Sequence, residues 1–459
     1  MDTATNKHIP SLANLQAHQG KVTLFWFRRD LRLQDNHGLY QALKHEKDVL
    51  PLFIFDKAWV DQLAHPRDAR VSFVHDAISQ LHQKLTKLGS SMLVCYGDVL
   101  DIFRKLLATN KIKAIYTNKD YDPKPIAQIG AISNLLAEKA VPLHTYKDHV
   151  IFEQREVSKN DGLPYTVFTP YMRKWKTLYR PVHSAPYPTE KYFTHLLRTS
   201  SPSPLIPLAA IGFQPIQQTF PPCIIDREKV RQHLFERNNL MTPHSTHIGV
   251  HLRFGTLSIR EAVRIGYEES ESWLESLIWR DFFMMILANF PHVVEGPFRK
   301  SYAYVPWRHD EEGFAAWCEG RTGFPIVDAG MRQLNHTGFM HNRARLITAS
   351  FLVKLLLIDW RWGEAYFAEK LLDHELALNN GNWQWTAGCG CDFVPYFRIL
   401  SPDRQTLRFD PQHLYIKKWV PEYTSPSYPQ PMLDYTMARQ RALKAYQQRL
   451  SFGQQPSST

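Results

Sequence analysis

Between residues 22 and 150 the chain alternates short β-rich runs with helical stretches, and no other feature limits the possible folds as much. Val22–Phe27 and Val49–Phe55 are the first two runs. A helical segment near 69–88, a strand at Met92–Tyr96, a helix from Asp98 and a strand at Ala114–Tyr116 follow. Strand and helix in regular alternation build a parallel sheet covered on both faces, so residues 20–150 are predicted to form a parallel-sheet α/β domain. Its ligand crevice would lie beyond the carboxyl ends of the strands. No G-x-G-x-x-G follows the first strand, so a conventional dinucleotide site is not indicated there.

The pattern then changes. Nine prolines fall between Pro181 and Pro222, and residues 151–225 read as a long interdomain connector. From 226 to 425 the periodicity is helical, which predicts an all-α domain with helices at Ile259–Tyr267, Trp273–Asn289, Phe314–Glu319, Pro325–Asn335, Asn342–Asp359 and Glu364–Leu372. Residues 426–459 form a polar tail with a helix around Tyr435–Leu450 and a disordered end. There is no internal repeat.

Charge and cysteine usage narrow the functional class. The chain carries 55 Lys+Arg against 44 Asp+Glu, a formal charge of +11 that favours a polyanionic partner such as nucleic acid. Five cysteines form an odd set without C-x-x-C, which argues against a disulfide framework and for a reducing compartment. Only Cys389 and Cys391 are close-spaced, and no further ligands stand near them, so no metal site is predicted. No stretch approaches eighteen uninterrupted apolar residues, and the N-terminus has no apolar core of a signal peptide. The expectation is a soluble cytoplasmic protein.

Nine of the 12 tryptophans lie beyond residue 270. Trp279 and Arg280 stand side by side on an apolar helix and project about 100° apart; the plain reading is a core Trp beside a surface Arg. Asn342 and Arg345 share a helix face near its first turn, where backbone donors favour anions, although an N-capping Asn with solvated arginines fits equally. A third cluster, Asp373–Trp385, is full of turn formers and groups carboxylates and amides able to hydrogen-bond a polar heteroaromatic ring; a plain Asn-Gly turn leaves Trp383 and Trp385 unexplained.

Four segments, Trp26–Asn36, Pro164–Tyr171, Gly323–Asn335 and Asn379–Trp385, resemble those of the photolyase/cryptochrome family, in the family's order and over residues 22–425. Within it the chain looks most similar to bacterial class I cyclobutane pyrimidine dimer photolyases. The resemblance implies an N-terminal Rossmann-like antenna domain, a helical domain that binds FAD, DNA binding over the flavin pocket, and light-driven repair by electron transfer. Such a lyase would act on damaged DNA as a monomer, with no membrane and no obligate protein partner. It leaves room for a second chromophore of folate, deazaflavin or flavin type. Trp26–Asn36 and Tyr121–Asp122 match landmarks near that antenna without identifying it.

By the same resemblance, Asn379 faces flavin N5, Arg345 and Asp373 form an ion pair beside the ring, and Glu375 sits near its polar edge with His374 adjacent. Trp273 lines the pocket, and Ser245, Thr246, His247, Ile248 and Gly249 occupy the flavin-phosphate segment. Trp383, Trp360 and Trp307 match an electron-transfer chain from flavin to surface. Photolyases are among the enzymes that take their target bases out of the stack. Trp279 and Trp385 would stack on the extruded dimer, a contact worth about 1–3 kcal/mol per base. Arg280, Asn342, Arg343 and Gln405 would hold the lesion or its backbone, beside Ser276 and Leu346.

Four departures from the family pattern bear on efficiency. Ser245–Gly249 stands where Thr-Ser-Arg-Leu-Ser is usual, so His247 replaces a permanently charged guanidinium. Ser276 stands in place of a Glu that reaches the pyrimidine edge, and Glu275, rotated by about 100°, does not substitute. Leu346 replaces a frequent Met and Glu375 a usual Asp. The alternative that these departures motivate is a cryptochrome-like blue-light photoreceptor with little repair activity.

Overall fold

The computed structural model describes residues 15–16, 18–241 and 246–452, with side chains to 448. The chain divides into two compact units. The first runs to Glu153 and adds Arg180–Ile225 and His247–Ile265; the second comprises Gln154–Tyr179, Asp226–Thr246 and Gly266 onward. The stretch expected as a connector is thus shared out between the two.

In the first unit, strands β1 (Val22–Phe27), β2 (Val49–Asp56), β3 (Leu93–Gly97), β4 (Ile112–Asn118) and β5 (Leu143–Tyr146) form one parallel sheet in the order β3-β2-β1-β4-β5. Helices α1 (His37–His45), α2 (Ala69–Lys87), α3 (Val99–Ala108) and α4 (Pro123–Ala137) make the crossovers. Asn36, Asp68 and Asp98 cap the first three by accepting from backbone N–H groups of the first turn. All six residues of β1 are buried, as a strand covered on both faces requires. The sequence reading missed β5, a four-residue edge strand with no apolar run.

The strand order reverses between β1 and β4, where an open α/β sheet has its crevice. Here the chain's own side chains fill that place. Asn118 Nδ2 donates to Asp30 Oδ2 (2.6 Å) and Asn36 Oδ1 (2.8 Å), and Asn36 Nδ2 donates to Asp30 Oδ2 (3.0 Å). Gly38 N donates to Asn118 Oδ1, and a Cβ at Gly38 would press on that amide. Burial pushes the Asp30 carboxyl above its ordinary range, and nearby Asp148 adds to it.

The Arg-Arg-Asp-Leu-Arg motif has a structural task. Arg29 Nε and Arg32 Nη1 donate to the carbonyls of Arg253 and Gly255, and Leu31 N donates to Phe254 O. Gly255 adopts φ 63°, and any Cβ there would collide with the Arg29 carbonyl, so only glycine fits. Arg32 donates to both Asp148 oxygens (2.8 and 2.7 Å), and Arg260 bridges Asp148 (2.8 Å) and Asp35 (2.8 Å). Burial alone would raise the Asp148 carboxyl, but Arg32 and Arg260 hold it well below the usual range. Segment 253–260 is therefore clamped to the sheet by paired buried charges.

The second unit is helical. Its core gathers Trp317, Trp360, Trp383, Phe351, Leu352 and Tyr415 together with Ala438 and Tyr446 from the tail, which is part of the packing. The expected helix over Asn342–Asp359 is α-helical only to Ser350; Phe351–Leu356 forms a π-helical turn and Leu357 at φ 56° reverses the chain. Leu376–Ala387, read as turn-rich, is a helix despite Asn379-Asn380-Gly381-Asn382. Packing overrides propensity there: a Cβ at Gly381 would run into Phe283, so the glycine lets two helices approach.

Candidate functional site

In chain order there follow α5 (Phe168–Leu178), α6 (Arg227–Glu236), α7 (Gly249–Phe254), α8 (Ile259–Glu269), α9 (Glu271–Asn289), α10 (Glu311–Glu319), α11 (Pro325–Thr337), α12 (Asn342–Ser350), α13 (Trp360–Lys370), α14 (Leu376–Ala387) and α15 (Pro402–Phe409), of which α5, α9 and α12 to α15, with the turn before α14, carry the second unit's candidate residues. α14 packs on α9, α12 and α13, which brings three sets of side chains into one region of this unit.

The first set is polar and largely buried. Arg345 Nη2 donates to both Asp373 oxygens (3.0 and 2.9 Å) and its Nε to Met340 O (2.9 Å). Arg280 lies 3.9 Å from Glu375, both nearly inaccessible. This inverts the plain reading of the Trp279–Arg280 pair: Arg280 is the buried member, and Trp279 is half-buried. Asn379 Nδ2 donates to the Glu364 carbonyl (2.9 Å), which aims its amide oxygen elsewhere. Asn380 Nδ2 donates to Glu364 Oε1 and Val293 O (3.0 Å each), and Gln384 Nε2 donates to Asn380 Oδ1 (3.0 Å). Burial lifts the Glu364 carboxyl to about 7, only partly opposed by the Asn380 bond.

The second set is aromatic. Trp360 and Trp383 are each 2% exposed, while Trp307 is half-buried against the same core. Trp383 meets Phe367 edge-on at 5.0 Å, and a Cβ at Gly363 would collide with its ring, so α13 and α14 close tightly around it. The three residues thus run from core to partial exposure, with indole, an easily oxidised side chain, at each position.

The third set lines a pocket of about 160 Å³. Arg343, Leu346, Trp385 and Gln405, all expected at a lesion site, converge on it. Arg398, Arg408 and Phe409 join them, and sequence reasoning passed these over; Arg408 follows Gln405 by three positions, so a helix reading of 402–409 places them on one face. Arg343 Nη2 donates to Asn238 Oδ1 (2.6 Å), its guanidinium lies 4.3 Å over Phe409, and its buried Nε has no partner among the described residues. Burial first, then Arg408, Arg237 and Arg398, push the Arg343 guanidinium below its ordinary value. Among the described residues no carboxylate pairs with Arg343, Arg398 or Arg408. A crowd of cations without acids is a site waiting for an anion.

Other expected residues fall elsewhere. His341 caps α12 by accepting from Arg343 N, so Asn342 is an exposed first-turn residue and not the cap. Trp279 stacks one ring face on Phe168 (3.6 Å, 9°), which gives the Pro164–Tyr171 motif a packing role, and also meets Phe283 at a tilt (5.2 Å, 31°). Ser276 is exposed and donates its hydroxyl to Trp273 O (2.6 Å), while Glu275 pairs with Lys176 (3.0 Å). Trp273 is buried in the first turn of α9. Ser245 lies outside the described residues; Thr246 ends a segment of the second unit, and His247 (φ 49°), Ile248 and Gly249 belong to the first, Gly249 opening a six-residue helix. Leu346 and His374 are half-buried. No group of three His, Cys, Asp or Glu able to hold a metal occurs among the described residues, and burial lifts the Cys389 and Cys391 thiols to about 12.

Comparison with known proteins matches this architecture. Residues 273–427 match the family model described as FAD binding domain of DNA photolyase, and 23–190 match that of DNA photolyase. A deoxyribodipyrimidine photo-lyase of Vibrio cholerae is 34% identical over 93% of this chain and 99% of its own. A class III photolyase from Agrobacterium tumefaciens superposes with a TM-score of 0.83 at 28% identity, covering 95% of this chain and 98% of the other. A photolyase from Sulfolobus tokodaii, solved with two FAD molecules, gives 0.78 at 32% identity, covering 93% and 99%. A parallel α/β unit and a helical unit of this kind define a flavoprotein of the light-driven type. The chain belongs to the photolyase/cryptochrome family.

Proposed function

We propose that this chain is a light-driven DNA repair enzyme, a deoxyribodipyrimidine photo-lyase that uses FAD to split cyclobutane pyrimidine dimers. The observation that carries the reading is the pocket in which Trp385 and Gln405 meet Arg343, Arg398 and Arg408, cations with no acidic partner among the described residues. An aromatic wall with guanidinium groups suits two stacked bases flanked by phosphates, and does not suit an apolar ligand.

The residues present fit FAD. A neutral amide at Asn379 with its oxygen turned from the Glu364 bond, the Arg345–Asp373 pair and the buried Glu375 offer both donors and acceptors to the polar edge of a flavin ring. Bound FAD, reduced and excited by light, supplies the electron that no side chain can give to the dimer. Asn379, held by the Glu364 carbonyl, would offer its amide to the ring's polar edge, and the Arg345–Asp373 pair would help hold the ring. Arg343, Arg398 and Arg408 orient the DNA backbone, Gln405 contacts the lesion, and Trp385 and Trp279 exclude water around it. Trp383, Trp360 and Trp307 would form the path by which electrons from the surface reach a bound flavin.

A second chromophore, if folate, deazaflavin or flavin, binds away from the β1/β4 crevice, which Asp30, Asn36 and Asn118 close. The enzyme works as a cytoplasmic monomer without an obligate protein partner; none of its described helices is long and apolar enough to cross a membrane. An absorption spectrum before and after illumination with a reductant tests the cofactor: bleaching of bound oxidised flavin supports the reading, and a colourless protein refutes it. Competition between dimer-containing and intact oligonucleotides tests the pocket, with preference for the former expected.

A further inference from the structure

The buried residues of the helix Tyr435–Phe452 are Ala438, Ala442, Ala445 and Tyr446 among those described, so one large side chain anchors a stripe of alanines. Tyr446 donates its phenol to Ala387 O (2.9 Å), and Arg441 Nη2 donates to Leu355 O (2.6 Å). Under the Tyr446 ring lies Lys354, wholly buried on the π-helical turn Phe351–Leu356. Its Nζ sits 4.0 Å over that ring and donates to the same Ala387 carbonyl (3.0 Å). The helix thus covers a lysine. The same ring also supports the DNA pocket: Tyr396 stacks on Tyr446 (6.0 Å, 9°) and stands between Val394 and Arg398, both of which line the pocket. Arg398 N donates to Pro395 O (2.9 Å), so Tyr396 and Arg398 belong to one tight turn.

What surrounds Lys354 sets the cost of charging it. The Cys389 thiol, the Tyr302 phenol and Asp359 face this cluster, and Arg361 holds the Asp359 carboxylate (2.5 Å). Of the helices packed on the π-helical turn, α14 has no charged residue. On α13 the Glu364 carboxyl is bonded to Asn380, and on α12 Arg343 lines the pocket while Arg345 pairs with Asp373. On α10 Glu311 and Glu312 are exposed and Glu319 pairs with Arg321. Arg308 donates to Leu356 O (3.3 Å) and pairs with Asp310 (3.0 Å). None of these is a carboxylate paired with Lys354, and a buried ammonium without an anion is costly. Burial draws the amine down to about 7, with the Cys389 thiol opposing it. Once Tyr446 lifts away, the amine meets water and regains its ordinary 10.5. Between those values the docked form binds fewer protons, so falling pH favours the undocked helix by up to about tenfold per pH unit, and the effect levels off below about 7.

We propose that the helix Tyr435–Phe452 is a proton-released strap: docked over a neutral Lys354 it holds the Arg398 turn in the shape that receives DNA, and protonation of that amine frees the helix and loosens the turn. The inference rests on the reading of the arginine-lined pocket as the DNA site. Tyr446 joins the two ends of the device, because its ring covers Lys354 and carries Tyr396. The sign is diagnostic. Cations that bind phosphate lose protons as pH rises, which on its own weakens DNA binding. A strap of this kind makes affinity for dimer-containing DNA rise between pH 7 and pH 9.

The test measures amide hydrogen exchange of Tyr435–Phe452 in the flavin-loaded protein, corrected for the intrinsic effect of pH, beside affinity for a dimer-containing oligonucleotide at fixed salt, both at pH 7 and pH 9. In the native protein the open helix should be about tenfold or more better populated at pH 7, and DNA affinity several-fold weaker there. Lys354→Met, which places an apolar side chain in an apolar setting, should make helix opening equal at the two pH values and remove the gain in affinity at pH 9. Tyr446→Phe keeps the ring and loses the bond to Ala387, so it should raise opening at both pH values and keep the pH dependence; unchanged flavin content shows that each variant is folded. Corrected exchange that is equal at pH 7 and pH 9 in the native protein, or that differs as much in Lys354→Met, would overturn the strap. Exchange that follows pH while DNA affinity does not would overturn its coupling to the pocket. No DNA binding at either pH would overturn the pocket reading and that coupling together, and exchange alone would then decide the strap.

Discussion

Arg32 and Arg260 in the first unit and Arg343, Arg398 and Arg408 in the second are chemically alike, and what separates them is company. The first pair closes on Asp148 and Asp35 in a network shielded from water, each guanidinium matched by a carboxylate and by backbone carbonyls. The second group lines a pocket, crowds its own kind and meets no acid among the described residues. Buried charge that is fully paired holds a fold together; charge left unpaired at a pocket is affinity kept for a ligand. The contrast also divides the chain's +11 charge, since the first network is close to neutral and the second is not.

The sharpest way to break the comparison is Asp148→Ala. It strands Arg32, leaves Arg260 with Asp35 alone, and should cost about 3–5 kcal/mol of stability in urea unfolding, with the salt dependence of DNA binding unchanged. Arg343→Ala should do the reverse, weakening binding to dimer-containing DNA by about tenfold to a hundredfold, flattening the log-affinity against log-salt slope by about 1, and leaving the melting temperature in place. If the two variants exchanged phenotypes, the division would be wrong.

Acidity sharpens the same contrast. Arg28 and Arg29 lower Asp120 and Arg32 and Arg260 lower Asp148, against burial, so both carboxylates titrate in the fold below their unfolded value. Their contribution is present above about pH 4 and is lost as pH falls through the folded values. Lys354 runs the other way: with its amine drawn to about 7, the unfolded chain binds the extra proton from there up to its ordinary value of 10.5, so this contribution rises with pH across that window. Lys354→Met should remove that rise in denaturation curves. The smallest effect is expected from Asp101→Ala, which breaks an exposed helical pair with Arg104 and should shift neither melting temperature nor DNA affinity measurably.

How much of this was legible beforehand depended on where the controlling contacts lie. Four of the five strands, and the crossover helices Ala69–Lys87 and Val99–Ala108, follow from periodicity because burial on both faces writes itself into the residues, whereas His37–His45 and Pro123–Ala137 were not read. β5 escaped because an edge strand of four residues carries no such imprint. The helix Leu376–Ala387 escaped because Asn-Asn-Gly-Asn is poor helical sequence, stabilised by tertiary contacts such as Phe283 against Gly381 and the amides of Asn380 and Gln384 on Val293. Asn342–Asp359 was read as one helix, since nothing in Phe351–Leu356 announces a π-helical turn. At the site, Arg343, Trp385 and Gln405 were named from resemblance and do converge, whereas Arg398 and Arg408 look like ordinary surface arginines until the absence of acids around them is seen. The Arg-Arg-Asp-Leu-Arg motif was read as a chromophore landmark, and its hydrogen bonds show a clamp.

The central claim is that the arginine-lined pocket delivers a pyrimidine dimer to a light-excited flavin. The most direct measurement is to reduce the purified flavin-loaded protein, add a dimer-containing oligonucleotide, illuminate with blue light and count the dimers that remain. Loss of dimer that requires both light and reduced flavin, and that Arg343→Ala slows at limiting DNA, is the predicted result. Flavin-loaded, DNA-bound protein that leaves every dimer intact under illumination would contradict it.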